Sequence, residues 1–344
     1  MVDPKYVASH NIKSIELALN CLGKRGISIQ QCLDNTEISP NEILNPEVEV
    51  TLLQELQFYK NLVSMDFDFP LGLEIGKEHK LENYGVWGLA LISAETLRKS
   101  IQLASEYQSL AYTFFKYQFS ETATDAIFEL VPLADYSASL ALLADRDISA
   151  TIRLLSQVAG QELPLNHVWL MPRADSQKSN YEQHFNCKVT FDAPSFGFSF
   201  SSQVLDLQPP HASPTTSDFC AQECARLLKA RHKQASWSER VEQFLSLTKN
   251  QASDPKEVAK TLGVSYRSLR RKLQEEGTTY RDIQDRVRYQ RAKTLLAKSR
   301  EPMAEIAHTL GFSEPGNFSH AFRRWSGDSP REYRRKMEEH DGVS

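Results

Sequence analysis

Arg267, Arg270, Arg271 and Gln274 crowd into one short stretch, YRSLRRKLQ, whose side chains are the donor types that read or grip a polyanion. A guanidinium bonds bidentately to O6 and N7 of guanine, each such pair discriminating by about 1–3 kcal/mol, and elsewhere holds phosphate. At about 100° per residue Leu269 and Leu273 share one helical face, Arg267, Arg271 and Gln274 lie opposite, and Arg270 stands at the flank. Further along, PGNFSHAFRRW repeats the arrangement with Phe318, Phe322 and Trp325 inward, Gly316, His320 and Arg323 opposite, and Asn317 and Ser319 at the sides. Asn317 or His320 could donate to base edges, and Pro315 and Gly316 near the helix start would allow close approach. This second face is less basic, so the first is expected to supply more of the affinity. The plainer alternative for both is a solvated face, since charge rows are common on helices and many groove-facing residues touch backbone alone.

Positioning such faces requires short bracing helices. In the first unit Pro255 opens a helix with Val258, Ala259 and Leu262 inward, Gly263 turns the chain, and Ser265 caps the next helix. In the second, Ile306, Ala307 and Leu310 brace and Gly311 turns. Each is a helix-turn-helix pattern, and two in tandem point to duplex DNA. Between them TYRDIQDRVRYQRAKTLLAKS is helical through Ile283, Val287, Ala292, Leu295 and Leu296. Such a helix spans about 28 Å, comparable with the ~34 Å between successive major-groove faces. Arg281, Arg286, Arg288, Arg291 and Lys293 on or near it are phosphate candidates, or merely solvated cations.

Charge divides the chain in the same place. Residues 236–344 hold 21 Lys and Arg against 16 Asp and Glu, whereas residues 1–235 hold 19 against 28, so a +5 tail follows a −9 body. A basic module joined to an acidic one suits two functions, one of them polyanion binding. With 344 residues, 41% hydrophobic and 24% charged, the chain has room for two domains and is not compositionally disordered. Five cysteines without framework spacing point to a reducing compartment, and MVDPKYVASHNIKS lacks a signal-peptide core, so a cytoplasmic protein without membrane spans is expected. Phosphate-cradling loops, zinc-protease pairs and nucleophile elbows are missing from the sequence, so no catalytic residue, metal or cofactor is assigned. Cys220 and Cys224 share a helical face and could join His211 or His232 as a metal or redox site. Packing on a helix is the preferred reading for a thiol pair without a second pair.

The front half reads as α+β. Helices are expected at 12–25, stopping near Gly26, at 50–65, at 94–111 and from Asp135 to Gly160, with YTFFKYQFS and DAIFELVP forming a hairpin. HVWLMP, CKVTF and FGFSFS are short strands around a helix at 176–186. From Leu207 to Ser217 the residues Pro209, Pro210 and Pro214 are taken to exclude helix, leaving a linker before a connecting helix at 218–233. The domains are thus 1–207 for sensing or dimerisation, 208–235 as linker and connecting helix, and 236–338 for DNA. The helices at 135–160 and 218–233 are candidate dimer surfaces. Aromatic residues around Trp87, Phe114 and Tyr117 could wall an effector pocket, with Arg98, Lys116, Arg146 or Arg153 available to a carboxylate; Trp87, Arg98, Phe114, Tyr117 and Arg146 are the chosen candidates. An ordinary core with solvated cations is the alternative.

LGVSYRSLRRKL, GTTYRDI, IAHTLGFSEPGNFSHAFRRW and GDSPREYRR together resemble the AraC/XylS family of bacterial transcription regulators across the whole C-terminal domain. GLALISAETLRKSIQLASEY and YEQHFNCKVTFDAPSFGFSFSSQVLDL resemble the arabinose-binding type of front domain found in ornithine-utilisation and related regulators. The resemblance implies an α+β sensor followed by an all-α domain with two helix-turn-helix units. It further implies a homodimer, control by a small-molecule effector, binding to promoter DNA, and recruitment of RNA polymerase by an activator. Arg267, Arg270, Arg271, Gly316, Asn317 and His320 carry over as groove-reading positions, although Gly316 replaces a larger polar residue often found there. The helical opening and scarcity of strands depart from a sugar-binding β-barrel, so arabinose is not carried over. A ligand-independent architectural DNA binder and a DNA-repair enzyme targeted by the tandem units are the rival readings.

Overall fold

Helical spacing of apolar residues builds most of the first of two compact units, Lys5–Lys233, in a computed structural model; the second is formed by Gln234–Ser344. The structure describes residues 9–65, 67–133, 136, 139–172, 178–234, 236–247, 254–298 and 301–341. β1 (His10–Asn11) pairs antiparallel with β2 (Glu49–Val50), and between them run α1 (Lys13–Gly23) and α2 (Ile29–Leu33). α3 (Leu52–Ser64) begins at a capping box in which Thr51 accepts from the Gln54 N–H and Gln54 accepts from the Thr51 N–H. α4 (Leu71–Lys77), α5 (Gly85–Ile92) and α6 (Leu97–Glu106) follow. The helix expected over 94–111 is therefore shorter, capped by the Thr96 hydroxyl and closed by a 3-10 turn at Gln108–Leu110.

The expected hairpin is β3 (Phe115–Glu121) with β4 (Asp125–Pro132), in register Phe119 to Phe128. α7 (Leu140–Ala159), β5 (Leu165–Trp169), α8 (Lys178–Phe185), β6 (Lys188–Thr190) and β7 (Phe196–Ser201) complete a sheet of order β3-β4-β7-β5-β6. All its pairs are antiparallel except β5 with β6, the two strands joined through α8. The part of the expected 135–160 helix at 135, 137 and 138, and that of the 176–186 helix at 176 and 177, lie outside the described residues. In FGFSFS the alternate phenylalanines share one face, and Phe198 stacks on Phe128 of β4 at 5.0 Å.

Close approach fixes α7. A Cβ at Gly72 would stand 2.4 Å from the Leu142 carbonyl oxygen, and one at Gly76 2.4 Å from Ser149 Cβ, so these glycines, one helical turn apart, let α4 press against the α7 backbone. α7 is buried along much of its length, including Asp145, Arg146 and Asp147. Its burial corrects the expectation that this helix offers a dimer surface. Pro214 is also corrected: it begins α9 (Pro214–Gln234), at a helix start where its missing N–H costs no bond. The Ser213 N–H donates to the Ser93 carbonyl at 2.8 Å and Ser217 Oγ to the Ala90 carbonyl at 3.0 Å. Cys220 and Cys224 are buried in the first unit's core, so the connecting helix is packed into that unit.

The second unit comprises α10 (Trp237–Leu247), α11 (Pro255–Thr261), α12 (Tyr266–Glu275), α13 (Tyr280–Lys298), α14 (Met303–Thr309), α15 (Pro315–Ser326) and α16 (Pro330–Asp341). It holds two small cores. Val241, Leu245, Val258, Ala259, Leu269, Leu273, Ile283 and Val287 form one; Ala292, Leu296, Ile306, Ala307, Leu310, Phe318 and Phe322 form the other. α13 supplies both. Ala292 and Leu296 each follow Ile283 and Val287 by nine positions, which at about 100° per residue is a half-turn, so the two cores occupy opposite faces of one helix.

Candidate nucleic-acid interface and sensor core

The two turns are built alike. After α11 the Gly263 N–H donates to Lys260 and the Val264 N–H to Ala259; after α14 the Gly311 N–H donates to His308 and the Phe312 N–H to Ala307. These are Schellman closures with glycine at φ +73° and +76°, a region that side-chain-bearing residues enter at a cost. Beyond the first turn the Ser265 hydroxyl accepts from the Ser268 N–H, and beyond the second Pro315 opens α15. Leu269 and Leu273 anchor α12, and Phe318 and Phe322 anchor α15, all at 1% exposure or less.

Anchoring those faces leaves Arg267, Arg270, Arg271 and Gln274 exposed on α12, and Gly316, Asn317, His320 and Arg323 exposed on α15. Arg271 pairs loosely with Glu275, at 3.8 Å. Arg270, Gln274, Asn317 and His320 meet around a groove of about 1000 Å³ running along α13, whereas Arg267, Arg271, Gly316 and Arg323 lie outside it. The groove also receives Arg281, Arg288 and Arg324. Arg324, which sequence reading left unassigned, is tied to Asp285 at 2.6 Å and so links α15 to α13. Of the phosphate candidates, Arg286 pairs with Glu242 at 3.1 Å and Lys293 stands over the Tyr289 ring. Arg288 is half-buried, lies 4.8 Å from the Phe312 ring centroid and donates to the Gly311 carbonyl. Burial pulls its guanidinium below the usual arginine value, and its place is structural. Arg281 remains exposed.

In the first unit a cavity of about 70 Å³ takes Trp87 and Tyr117 in its lining; Arg98, Phe114 and Arg146 do not line it. Arg98 is at the surface, bonded to Glu121 and Asp206, and ties β3 to the segment after β7. Phe114 belongs to the core and receives the Arg146 guanidinium at 4.9 Å. Arg146 is wholly buried, paired with Asp147 at 2.5 Å and donating to Tyr59 Oη and the Tyr112 carbonyl, each at 2.6 Å. An arginine so engaged has no free donor edge for a ligand carboxylate, which corrects that expectation. Lys116 and Arg153 are exposed, the latter donating to the His79 carbonyl. Tyr84, one of the aromatic residues expected to wall a pocket, does line this cavity, and sequence reading missed His79, which bonds to it at 2.5 Å. No periodicity marked His79, because it stands between α4 and a 3-10 turn at Leu81–Tyr84.

The Cys220 and Cys224 thiols are pushed up by burial, Cys224 to about 11, and both side chains pack in the first unit's core. Among the described residues no metal-binding cluster of His, Cys, Asp and Glu occurs; the His232 side chain lies outside them. Among them, too, no helix is long and apolar enough to cross a membrane.

Tandem helix-turn-helix units on a shared helix, in one chain with an α+β unit, define a DNA-binding regulator of two-part design. Residues 26–209 match the N-terminal arabinose-binding domain of AraC transcription regulators, and residues 258–336 match a helix-turn-helix domain. The chain belongs to the AraC family of transcription regulators, and its relatives are regulators rather than enzymes. It is 27% identical to the ornithine utilization regulator of Pseudomonas aeruginosa, over 93% of this chain and 94% of that one. The HTH-type transcriptional regulator VqsM of the same organism is 29% identical over 80% and 87% of the two chains. The crystal structure of the transcriptional regulator CdpR, also from Pseudomonas aeruginosa, shares the fold with a TM-score of 0.50 at 24% identity, covering 95% of this chain and 99% of its own.

Proposed function

We infer that the chain is a cytoplasmic, effector-controlled activator that binds promoter DNA as a homodimer and engages RNA polymerase. The observation that carries the DNA-reading part is the pair of identically closed turns hung on opposite faces of α13, which leaves the outer faces of α12 and α15 free. In this reading Arg267, Arg270, Arg271 and Gln274 supply most of the affinity, and Gly316, Asn317, His320 and Arg323 add contacts in the adjacent groove. The first unit senses the effector, whose preference for one state need supply only about 1–3 kcal/mol of coupling.

Mobility shifts with promoter fragments and scrambled competitor, at several salt concentrations, test the reading. Sequence preference with a steep salt dependence is expected, and Arg267→Ala or Arg271→Ala should each weaken operator binding. Equal affinity for all duplexes would support the architectural alternative instead. Thermal-shift screening tests the sensor, because a ligand of the folded state raises the melting temperature. The name of one relative makes ornithine an arm of that screen.

A further inference from the structure

The cavity in the first unit is walled by apolar side chains of α5, α6 and α7 and by Phe128 of β4. Nearly all its polar lining is already engaged within the protein. Asp147 accepts from Thr113 Oγ1 at 2.6 Å and from the Phe114 N–H at 3.2 Å besides its pairing with Arg146. Gln108 donates to the Phe115 carbonyl at 2.6 Å, and Tyr117 Oη and Thr151 Oγ1 bond at 2.9 Å.

Two nitrogens are left over. His79 Nε2 and Trp87 Nε1 belong to side chains more than nine-tenths buried, both lining the cavity, and neither has a hydrogen-bond partner among the described residues. Both rings pack against a common neighbour, Tyr84, at centroid distances of 5.9 and 5.0 Å. Burial pushes His79 down to about 3, so the ring is neutral. The buried Tyr84 phenol finds an acceptor for its proton in Nδ1, which places the imidazole proton on Nε2. Two N–H donors without partners thus belong to side chains that line the cavity, and that lining holds no free charge. Buried donors without partners are rare in native proteins, and these two ask for an acceptor from outside the chain.

We propose that the cavity binds an uncharged compound of about five to seven non-hydrogen atoms, apolar except for one oxygen that accepts from Trp87 Nε1–H and His79 Nε2–H. The size follows from about 10–15 Å³ of such space per water-sized group. An ammonium or carboxylate would find no counter-ion, because Asp147 and Arg146 already neutralise each other. The proposal rests on reading the first unit as the sensor, and it narrows the ligand class.

The test is calorimetry on the full chain with cyclohexanone and phenol, set against methylenecyclohexane, cyclohexylammonium, benzoate and ornithine. Cyclohexanone or phenol should bind, the hydrocarbon about two- to tenfold more weakly for want of the hydrogen bond, and the charged compounds not at all. Trp87→Phe, which keeps an aromatic ring and removes the N–H, should erase most of the preference for ketone over hydrocarbon. Ala150→Leu, which fills the space, should abolish binding while far-ultraviolet dichroism remains that of the parent. Absence of binding by both neutral oxygen compounds, equal binding of their charged counterparts, or an undiminished ketone preference in Trp87→Phe would overturn the proposal. Operator affinity measured in the same samples separates the two readings. Ligand binding that leaves operator affinity unmoved supports the cavity site and rejects its role in regulation.

Discussion

Gly263→Ala isolates the cost of the left-handed turn that sets the first reading helix. The residue sits at φ +73°, its N–H closes α11, and an added Cβ would meet nothing within 4 Å. Steric collision with neighbours therefore contributes nothing, and the penalty is that of the backbone alone, about 1–2 kcal/mol for an L-residue in this region. Alanine also lowers the entropy of the unfolded chain, which offsets about 0.4–1 kcal/mol. A net loss of about 1 kcal/mol is expected, equivalent to about 4–8 °C in the melting temperature of a domain this size. Tryptophan fluorescence from Trp237, whose ring carries Lys272 of α12 at 4.8 Å, follows the transition. Gly263→Asn should fall between alanine and the parent, because asparagine tolerates this conformation better. Operator affinity should fall further than the lost stability accounts for if the turn relaxes and tilts α12. A Gly263→Ala protein that melts with the parent or above it would refute the reasoning.

Gly76→Val should destabilise the first unit by about 1–3 kcal/mol or more in urea titration, since its Cβ would stand 2.4 Å from Ser149 Cβ and 2.8 Å from the Arg146 carbonyl oxygen. The first unit should lose stability on acidification from about pH 6.5 towards 4, because the unfolded histidine binds a proton that buried His79, held down to about 3, refuses. The slope from this ring is up to about 1.4 kcal/mol per pH unit, with none above about pH 7, and denaturation of His79→Gln should show it flattened. Arg146→Ala should cost about 3–5 kcal/mol in the same titration by stranding the buried Asp147 carboxylate; a near-neutral effect would contradict the pairing. One alanine inserted between Gln290 and Arg291 turns the second core by about 100° relative to the first, and mobility shifts should show operator binding lost.

The C-terminal unit was legible in the sequence because its instructions are local. Glycine after an apolar triplet, serine or proline at the next helix start and leucine or phenylalanine at one-turn spacing each act within a few residues, and Gly263, Ser265, Gly311 and Pro315 stand where those rules put them. The strands and hairpin of the first unit were readable for the same reason. Its interior was not, because burial of Arg146 depends on Asp147 beside it and Tyr59 far away in sequence, and a cation in an apolar helix looks the same whether it faces a ligand or its neighbour. The run Asp145-Arg146-Asp147 within an otherwise apolar stretch of α7 was the available sign of an internal ion pair. Pro214 misled because the same missing N–H that breaks a helix interior is harmless at its first turn.

In the function proposed above, α13 is what lets two such small cores work as one reading device. Each core closes with only a handful of fully buried side chains, too few to be robust alone, and each borrows two of them from the same helix. Folding either half therefore orders part of the other's core, and the Asp285–Arg324 pair adds a second tie between α13 and α15. Because the borrowed pairs lie a half-turn apart on a continuous helix, the offset between the two reading faces is set by helical pitch rather than by a loop. A flexible linker would let each face find its groove independently at an entropic cost on binding. A helix supplies that order during folding, so the affinity gained from the second groove is reduced only by what the DNA must do to meet a fixed spacing.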